Sequence, residues 1–373
     1  AVLLAGAGLM IRTMVELNRV ALGFDPRGVL ALHAPANPFA IREYPRKLQF
    51  FRGALDAVRV LPGVRAVAAI LPLPLEDRRF VSRIATDVRP DAPIVAEQFT
   101  AMPGAFAAIG ISLRAGRDFT DSEIDARRNV AIVDDLFART AWPGEPAIGH
   151  RLRIADTSRA KDWAEVVGVA SHVRAASLRD EGRPQVYVAY PMFTASEMAI
   201  LIRTEGDPAS LAAAAARAVE GVPDARPTYD VKPLAENVRE AAGEQRFALV
   251  LLGSFAAVAL LLAAVGLYGV ISYSTSQRTR EIGIRVALGA DPASLVRMVL
   301  REGLSAAAIG LAAGATAALA MTPYLRSVIY GVGPRDPVTL FAVGTLLLAI
   351  AAAASWIPAR RAAHVEPSVA LRD

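Results

Sequence analysis

The chain has 373 residues, 54% of them hydrophobic and 21% charged, an apolar share above that of an ordinary soluble domain. It contains no cysteine, which excludes disulfides, zinc–thiolate centres and a cysteine nucleophile. The formal net charge of +5 rests on arginine, with lysine only at Lys47, Lys161 and Lys232, and no basic run is interleaved with aromatics, so no nucleic-acid partner is expected.

The apolar opening, Ala1–Ile11, is shorter than the roughly 20 residues a bilayer core requires. It lacks the basic start of a signal peptide. Residues 1–22 read as the end of a truncated transmembrane helix with its extension, and the chain as a fragment or one half of something longer. Val29–His33 has strand character. Tyr44–Val60 follows with helical spacing, placing Leu48, Phe51, Leu55 and Val58 on one face. Leu61-Pro62-Gly63 stops that helix, and Val64–Leu71 reads as a strand again.

Further strands are expected at Val130–Val133, Glu165–Val169, Gln185–Ala189 and Ala199–Arg203. From the last of these, Asp207-Pro208 opens an alanine-rich helix over 209–220. Gly221 and Pro223 end it before a strand at Thr228–Val231. This second strand–helix–strand unit resembles the first, which predicts a pseudo-repeat. Leu234–Arg246 reads as one polar helix. Residues 23–243 are thus expected to form an α/β (α+β) domain.

Three uncharged runs follow, at about 247–275, 303–325 and 338–358. Each is long enough to span a bilayer, and none shows the polar face of a soluble helix. The predicted fold class is an α-helical membrane protein: the end of one span plus three complete transmembrane helices, 244–373, with an inserted α/β domain. Arg278, Arg280, Arg285, Arg297 and Arg301 lie between the first two runs, and Arg360, Arg361 and Arg372 follow the third. Only Arg326 and Arg335 lie between the second and third. The positive-inside rule places the first loop and the C-terminus in the cytoplasm and the large domain outside.

None of the three lysines follows a glycine, so there is no Walker A loop. No Gly-x-Ser-x-Gly elbow occurs. His33, His150, His172 and His364 are scattered and read as structural. Thr120 reads as a cap before Glu123, and Asp134-Asp135 as a plain acidic pair. No catalytic, cofactor or metal site is expected, and the chain is not read as an enzyme. The runs hold no ionisable residue, which argues against an ion-coupled carrier. Gly310 and Gly314 form a GxxxG suited to helix packing, with Gly266 and Gly269 in the first run. The loop Gln277–Gly303 is too long for a turn. Its Arg278, Glu281 and Arg285 share a helical face, Glu281 and Arg285 as an i, i+4 pair, with Ile282 and Val286 beside them. Such a short amphipathic helix either docks on a partner or lies on lipid headgroups.

The stretch QRTREIGIRVALGA (277–290) resembles a hallmark of the FtsX/MacB-like ABC-transporter permeases, and Pro358–Arg372 (PARRAAHVEPSVALR) resembles the C-terminal signature of the same family. AGRDFTDSE (Ala115–Glu123), AWPGEPAIGHRLR (Ala141–Arg153), VVGVASHVR (Val166–Arg174) and PQVYVAY (Pro184–Tyr190) resemble the MacB-like periplasmic core domain. The wording is especially similar to that of long duplicated permeases of acidobacteria, often called orphan permeases, of which this would be the second half. Asp134-Asp135 departs from an expected Asn-Glu.

The resemblance implies a permease in the bacterial inner membrane whose ATP is bound by a separate ATPase subunit, the chain itself holding no cofactor. It implies contact with that ATPase through Arg280, Glu281, Ile282, Arg285, Leu288 and Gly289. Other implied partners are membrane lipid, a second permease copy or a missing N-terminal half, and a periplasmic or outer-membrane protein. Two functions fit: mechanotransmission driving export of lipophilic compounds, peptides or lipoproteins, or non-transporting control of a periplasmic partner such as a cell-wall hydrolase.

Overall fold

In the computed structural model the described residues are 20–156, 162–178, 182–278, 291–325 and 337–363, with single positions among the first fifteen and at 281, 284 and 285. The chain divides into two compact units, Val20–Ala242 and Ala1–Arg19 with Gly243–Asp373.

The first unit is built on two interlocked strand–helix–strand units. In one, β1 (Val29–Pro35) leads through α1 (Tyr44–Arg59) to β2 (Val64–Leu71). In the other, β10 (Glu197–Thr204) leads through α5 (Ala212–Glu220) to β11 (Tyr229–Pro233). The strand order is β11-β1-β10-β2 with antiparallel neighbours, so each unit leaves a gap that a strand of the other fills. This is the split βαβ arrangement, and it gives the predicted pseudo-repeat its physical form. Pro45 starts α1, where a missing N–H costs nothing. The expected face, Leu48, Phe51, Leu55 and Val58, is buried together with Phe50 and Ala54. Each such large side chain contributes about 1.5–3 kcal/mol on burial.

Two helix boundaries differ from expectation. The segment after Asp207 opens as a 3-10 turn, Pro208–Leu211, because the Asp207 carboxylate accepts from the Ala209 N–H at 3.1 Å and tightens the start. The α-helix begins only at Ala212. Leu234–Arg246 is not one helix either. It divides into α6 (Leu234–Ala241) and α7 (Gly243–Gln277), separated at Ala242, whose φ of -92 and ψ of 2 leave the helical range just before a glycine.

Between β2 and β10 lies an insertion holding α2 (Ala105–Ile109), α3 (Asp121–Asp125), α4 (Asp135–Ala141) and seven strands. These strands are β3 (Val81–Thr86), β4 (Arg89–Ala101), β5 (Leu113–Gly116), β6 (Val130–Asp134), β7 (Arg151–Ile154), β8 (Ala164–Ala170) and β9 (Gln185–Ala189). Pairing runs β4–β3–β7–β8–β6–β9 and returns from β9 to β4, closing a ring, while β5 pairs with β8. β4 also pairs with β2 at Ile70 and Leu71, joining the ring to the first sheet. The period-two alternation of a strand divides the interior. On β6, Val130 and Ile132 enter the main core while Ala131 and Val133 enter a second one with Phe137 and Trp142.

The second unit, among the described residues, holds α7, α8 (Pro292–Leu325) and α9 (Pro337–Ala363). Phe247, Val250, Leu261, Leu262 and Val265 of α7 are exposed, a display that an apolar surround, lipid or protein, would favour. Arg246–Gln277 and Phe341–Arg360 are long and apolar enough to cross a bilayer. The run 303–325 is helical as part of α8.

Candidate functional site

The predicted coupling segment lies between α7 and α8. Of its residues, Glu281 and Arg285 are described, whereas Arg280, Ile282, Leu288 and Gly289 lie outside the described residues. Arg285 Nη2 donates to Glu281 Oε1 at 2.6 Å, the i, i+4 pair expected from spacing. Its Nη1 also donates to Met298 Sδ of α8 at 3.1 Å. Arg278 at the end of α7 reaches Glu302 of α8 at 3.4 Å. Asp291 caps α8, accepting from the Ala293 N–H at 3.2 Å. Both charged pairs are exposed, so each adds at most about 1 kcal/mol. They position the side chains of Arg278 and Arg285 more than they stabilise the unit.

Just behind this segment α7, α8 and α9 converge. Ile271, Val299 and Ala359, one from each helix, form a small buried cluster. Gly303 of α8 faces Ser355 of α9, and a Cβ on Gly303 would stand 2.2 Å from Ser355 Oγ and 2.8 Å from Ile271 Cδ1. The buried Ser355 hydroxyl satisfies itself on the Ala351 carbonyl at 2.6 Å. Sequence reading missed Gly303. Its signal was a glycine inside a helical run with no turn to explain it. A Cβ on Gly310 would meet nothing within 4 Å, and the same holds at Gly266 and Gly269, so no described helix packs there. Gly314 is half-buried.

In the first unit the scattered histidines each find carboxylates. Asp134 is fully buried at the end of β6, where its Oδ1 accepts from the Phe137 N–H at 2.7 Å and the Gln185 N–H at 2.9 Å. Its Oδ2 bonds His172 Nδ1. Gln185 bridges onward, its Nε2 donating to Val173 O at 2.6 Å and Glu97 Oε2 at 3.4 Å. Burial pushes the Glu97 carboxyl above its usual range, against the pull of Gln185. Asp87 accepts from Trp142 Nε1 at 3.1 Å and pairs with His150 Nδ1 at 3.0 Å, while His150 stacks on Trp142. His33, fully buried on β1, lies 3.3 Å from Glu76 and 3.4 Å from Glu197 without a hydrogen bond to either, and stacks on Tyr229. These networks brace strand ends and loops. His33, His150 and His172 are far apart in the sequence, so spacing held no signal of their partners, and His364 lies outside the described residues.

Comparison with known proteins gives two family matches. Residues 22–220 match the MacB-like periplasmic core domain, and residues 253–367 match the FtsX-like permease C-terminal region. The macrolide export ATP-binding/permease protein MacB of Azoarcus sp. (strain BH72) is 28% identical over 285 residues, covering 69% of this chain and 40% of that protein. The pyoverdine export ATP-binding/permease protein PvdT of Pseudomonas syringae pv. tomato (strain ATCC BAA-871 / DC3000) is 34% identical over 146 residues, covering 38% of this chain and 22% of that protein. The periplasmic region of MacB from Actinobacillus actinomycetemcomitans superposes with a TM-score of 0.38 at 12% identity, covering 58% of this chain and 93% of that structure. The chain therefore spans two fifths or less of the length of the curated relatives named here.

Proposed function

This chain belongs to the FtsX/MacB-like ABC-transporter permeases, and on that premise we propose that it couples a separate ATPase to its periplasmic domain by mechanotransmission. In this reading it sits in the bacterial inner membrane with three complete spans, at about 247–275, 303–325 and 338–358. The domain 23–243 projects into the periplasm and the C-terminus faces the cytoplasm. Closure of the ATPase pushes on the segment around Glu281 and Arg285, the helices carry the displacement, and the domain moves a lipophilic compound, peptide or lipoprotein. Residues 1–373 contain no phosphate loop, and in this reading ATP is bound by a separate ATPase subunit.

The observation that carries the reading is the coupling segment itself. An exposed ion pair held against α8 by Met298 sits beside the junction of Ile271, Val299 and Ala359, where three helices meet. A push there reaches all three helices at once. The uncharged spans support passive levers over an ion path. The named MacB and PvdT relatives are exporters by their descriptions, which supports transport.

The test is co-purification with a candidate ABC ATPase. The double variant Glu281→Lys, Arg285→Glu keeps an i, i+4 ion pair and so keeps the helix, but reverses the charges shown to the partner. It is expected to lose the ATPase while retaining its fold by circular dichroism. Undiminished co-purification would overturn the coupling role.

A further inference from the structure

The start of α8 carries charge that the second unit does not neutralise. Arg297 and Arg301 are exposed and stand one helical turn apart on the same face. Neither makes an ion pair among the described residues. The neighbouring carboxylates are already engaged: Glu302 with Arg278 at 3.4 Å, Glu281 with Arg285 at 2.6 Å, and Asp291 with the Ala293 N–H at 3.2 Å. Two positive charges on one helix face thus have no counter-anion among the described residues.

That face is turned away from the junction of the three helices. Leu295, Val299 and Gly303 are the buried line of α8, with Val299 packed on Ile271 and Ala359 and Gly303 against Ser355. Each arginine lies two residues from two members of this line, about 200° round the helix. Further along the arginine face Ser305, Ala308 and Ala312 are short and exposed. No long side chain of α8 therefore covers the space that leads from the guanidinium groups along the uncharged run.

Depth selects the anion. At the helical rise, Arg301 and Arg297 stand about 3 Å and 9 Å outside Gly303, where the uncharged run begins, which is the range of lipid headgroups. We propose that Arg297 and Arg301 together bind the phosphate of an anionic phospholipid headgroup, whose acyl chain lies along Ser305, Ala308 and Ala312. This rests on the reading of 303–325 as a membrane span. A guanidinium fork offers a phosphate two parallel N–H donors, and a lipid of net negative charge balances the pair better than a zwitterionic one. The bound lipid holds the start of α8 at the membrane surface beside Met298, the residue that meets Arg285 of the coupling segment. A push on that segment then tilts α8 about a held end and does not slide it.

Spin-labelled phosphatidylglycerol and phosphatidylcholine, traced in turn in phosphatidylcholine bilayers holding the full chain, test this at about 0.15 M salt, which screens loose charge attraction. The protein should retain phosphatidylglycerol in preference. Arg297→Gln and Arg301→Gln, both at exposed positions, should each lower that preference about three- to fivefold. Arg285→Gln removes one charge nearby from an arginine already held by Glu281 and should change it less than about twofold. Equal losses in the three variants would reduce the effect to loose attraction and overturn the site. Wild-type preference in the Arg297→Gln, Arg301→Gln double variant would overturn it too, and loss of ATPase co-purification in that variant would then assign the pair to a protein partner. Thr316→Cys, exposed within the run, separates this from the span reading. Its reaction with an aqueous maleimide in these bilayers would remove the span and the site together, whereas protection without a lipid preference would remove the site alone.

Discussion

Gly303 on α8 and Ser355 on α9 approach so closely that the missing Cβ of one is the space occupied by the hydroxyl of the other, 2.2 Å from where that Cβ would be. Gly303→Ala forces Ser355 off its bond to Ala351 or pushes the helices apart, costing about 1–3 kcal/mol. Ser355→Ala should recover part of this when combined with it, because the hydroxyl is the nearest obstacle and Ile271 Cδ1 the next, at 2.8 Å. Thermal unfolding in detergent, read as a double-mutant cycle, should give a coupling of about 0.5–3 kcal/mol. Simple additivity would show that the contact carries no strain.

The membrane topology is testable directly, since the chain contains no cysteine. Phe39, 81% exposed in the first unit, should react as Phe39→Cys with an impermeant maleimide added to spheroplasts. Arg335→Cys should react as well if three spans follow the domain. Ser276→Cys, at the end of α7, should react only after permeabilisation. Labelling of Ser276→Cys in intact spheroplasts would reverse the orientation.

Glu123 carries an acid-sensitive part of the domain's stability. The Arg117 guanidinium, donating at 2.6 Å and 2.9 Å, and the Thr120 cap bring its carboxyl down from 4.5 to about 2. The folded value lies below the unfolded one, so the contribution is fully present above pH 4.5 and is lost as pH falls toward 2. Its ceiling is about 3 kcal/mol. Denaturant midpoints of wild type and Glu123→Gln should differ most near neutrality and converge in acid. A gap that stays constant with pH would remove the ion pair from the account.

Asp134 joins β6, α4 and β9, so Asp134→Ala leaves the Phe137 and Gln185 N–H groups and the His172 ring without their acceptor. A loss of about 3 kcal/mol in the melting of the first unit is expected. Asp134→Asn keeps one oxygen for the two N–H groups at 2.7 Å and 2.9 Å and should cost much less. The Asp134 found where the family resemblance implies asparagine is thus a change that the site accommodates. Equal losses in the two variants would mean that the carboxylate charge, rather than the acceptor, matters.

Local patterning made part of this molecule readable. The faces of α1, the strands β1, β2, β6 and β9, and the cap at Thr120 follow from spacing and side-chain chemistry within a few residues. The hairpin of β3 and β4 did not show itself. Its residues 89–95 are charged, proline-bearing or exposed, and their extended form comes from pairing with a neighbour. β7, with arginine at alternate positions over four residues, was hidden for the same reason.

The sequence by itself determined which runs are apolar and long enough to cross a bilayer, because that property lies in an unbroken stretch of side chains and not in how the chain packs. It also determined the Glu281–Arg285 pair, because residues four apart are neighbours at helical spacing. Only the tertiary structure decided that two distant strand–helix–strand units fill each other's gaps, that the inserted strands close on themselves, and that Gly303 meets Ser355. Those contacts join residues far apart in the chain, so no local rule specifies them. They are set by which buried surfaces fit together once the whole domain is packed.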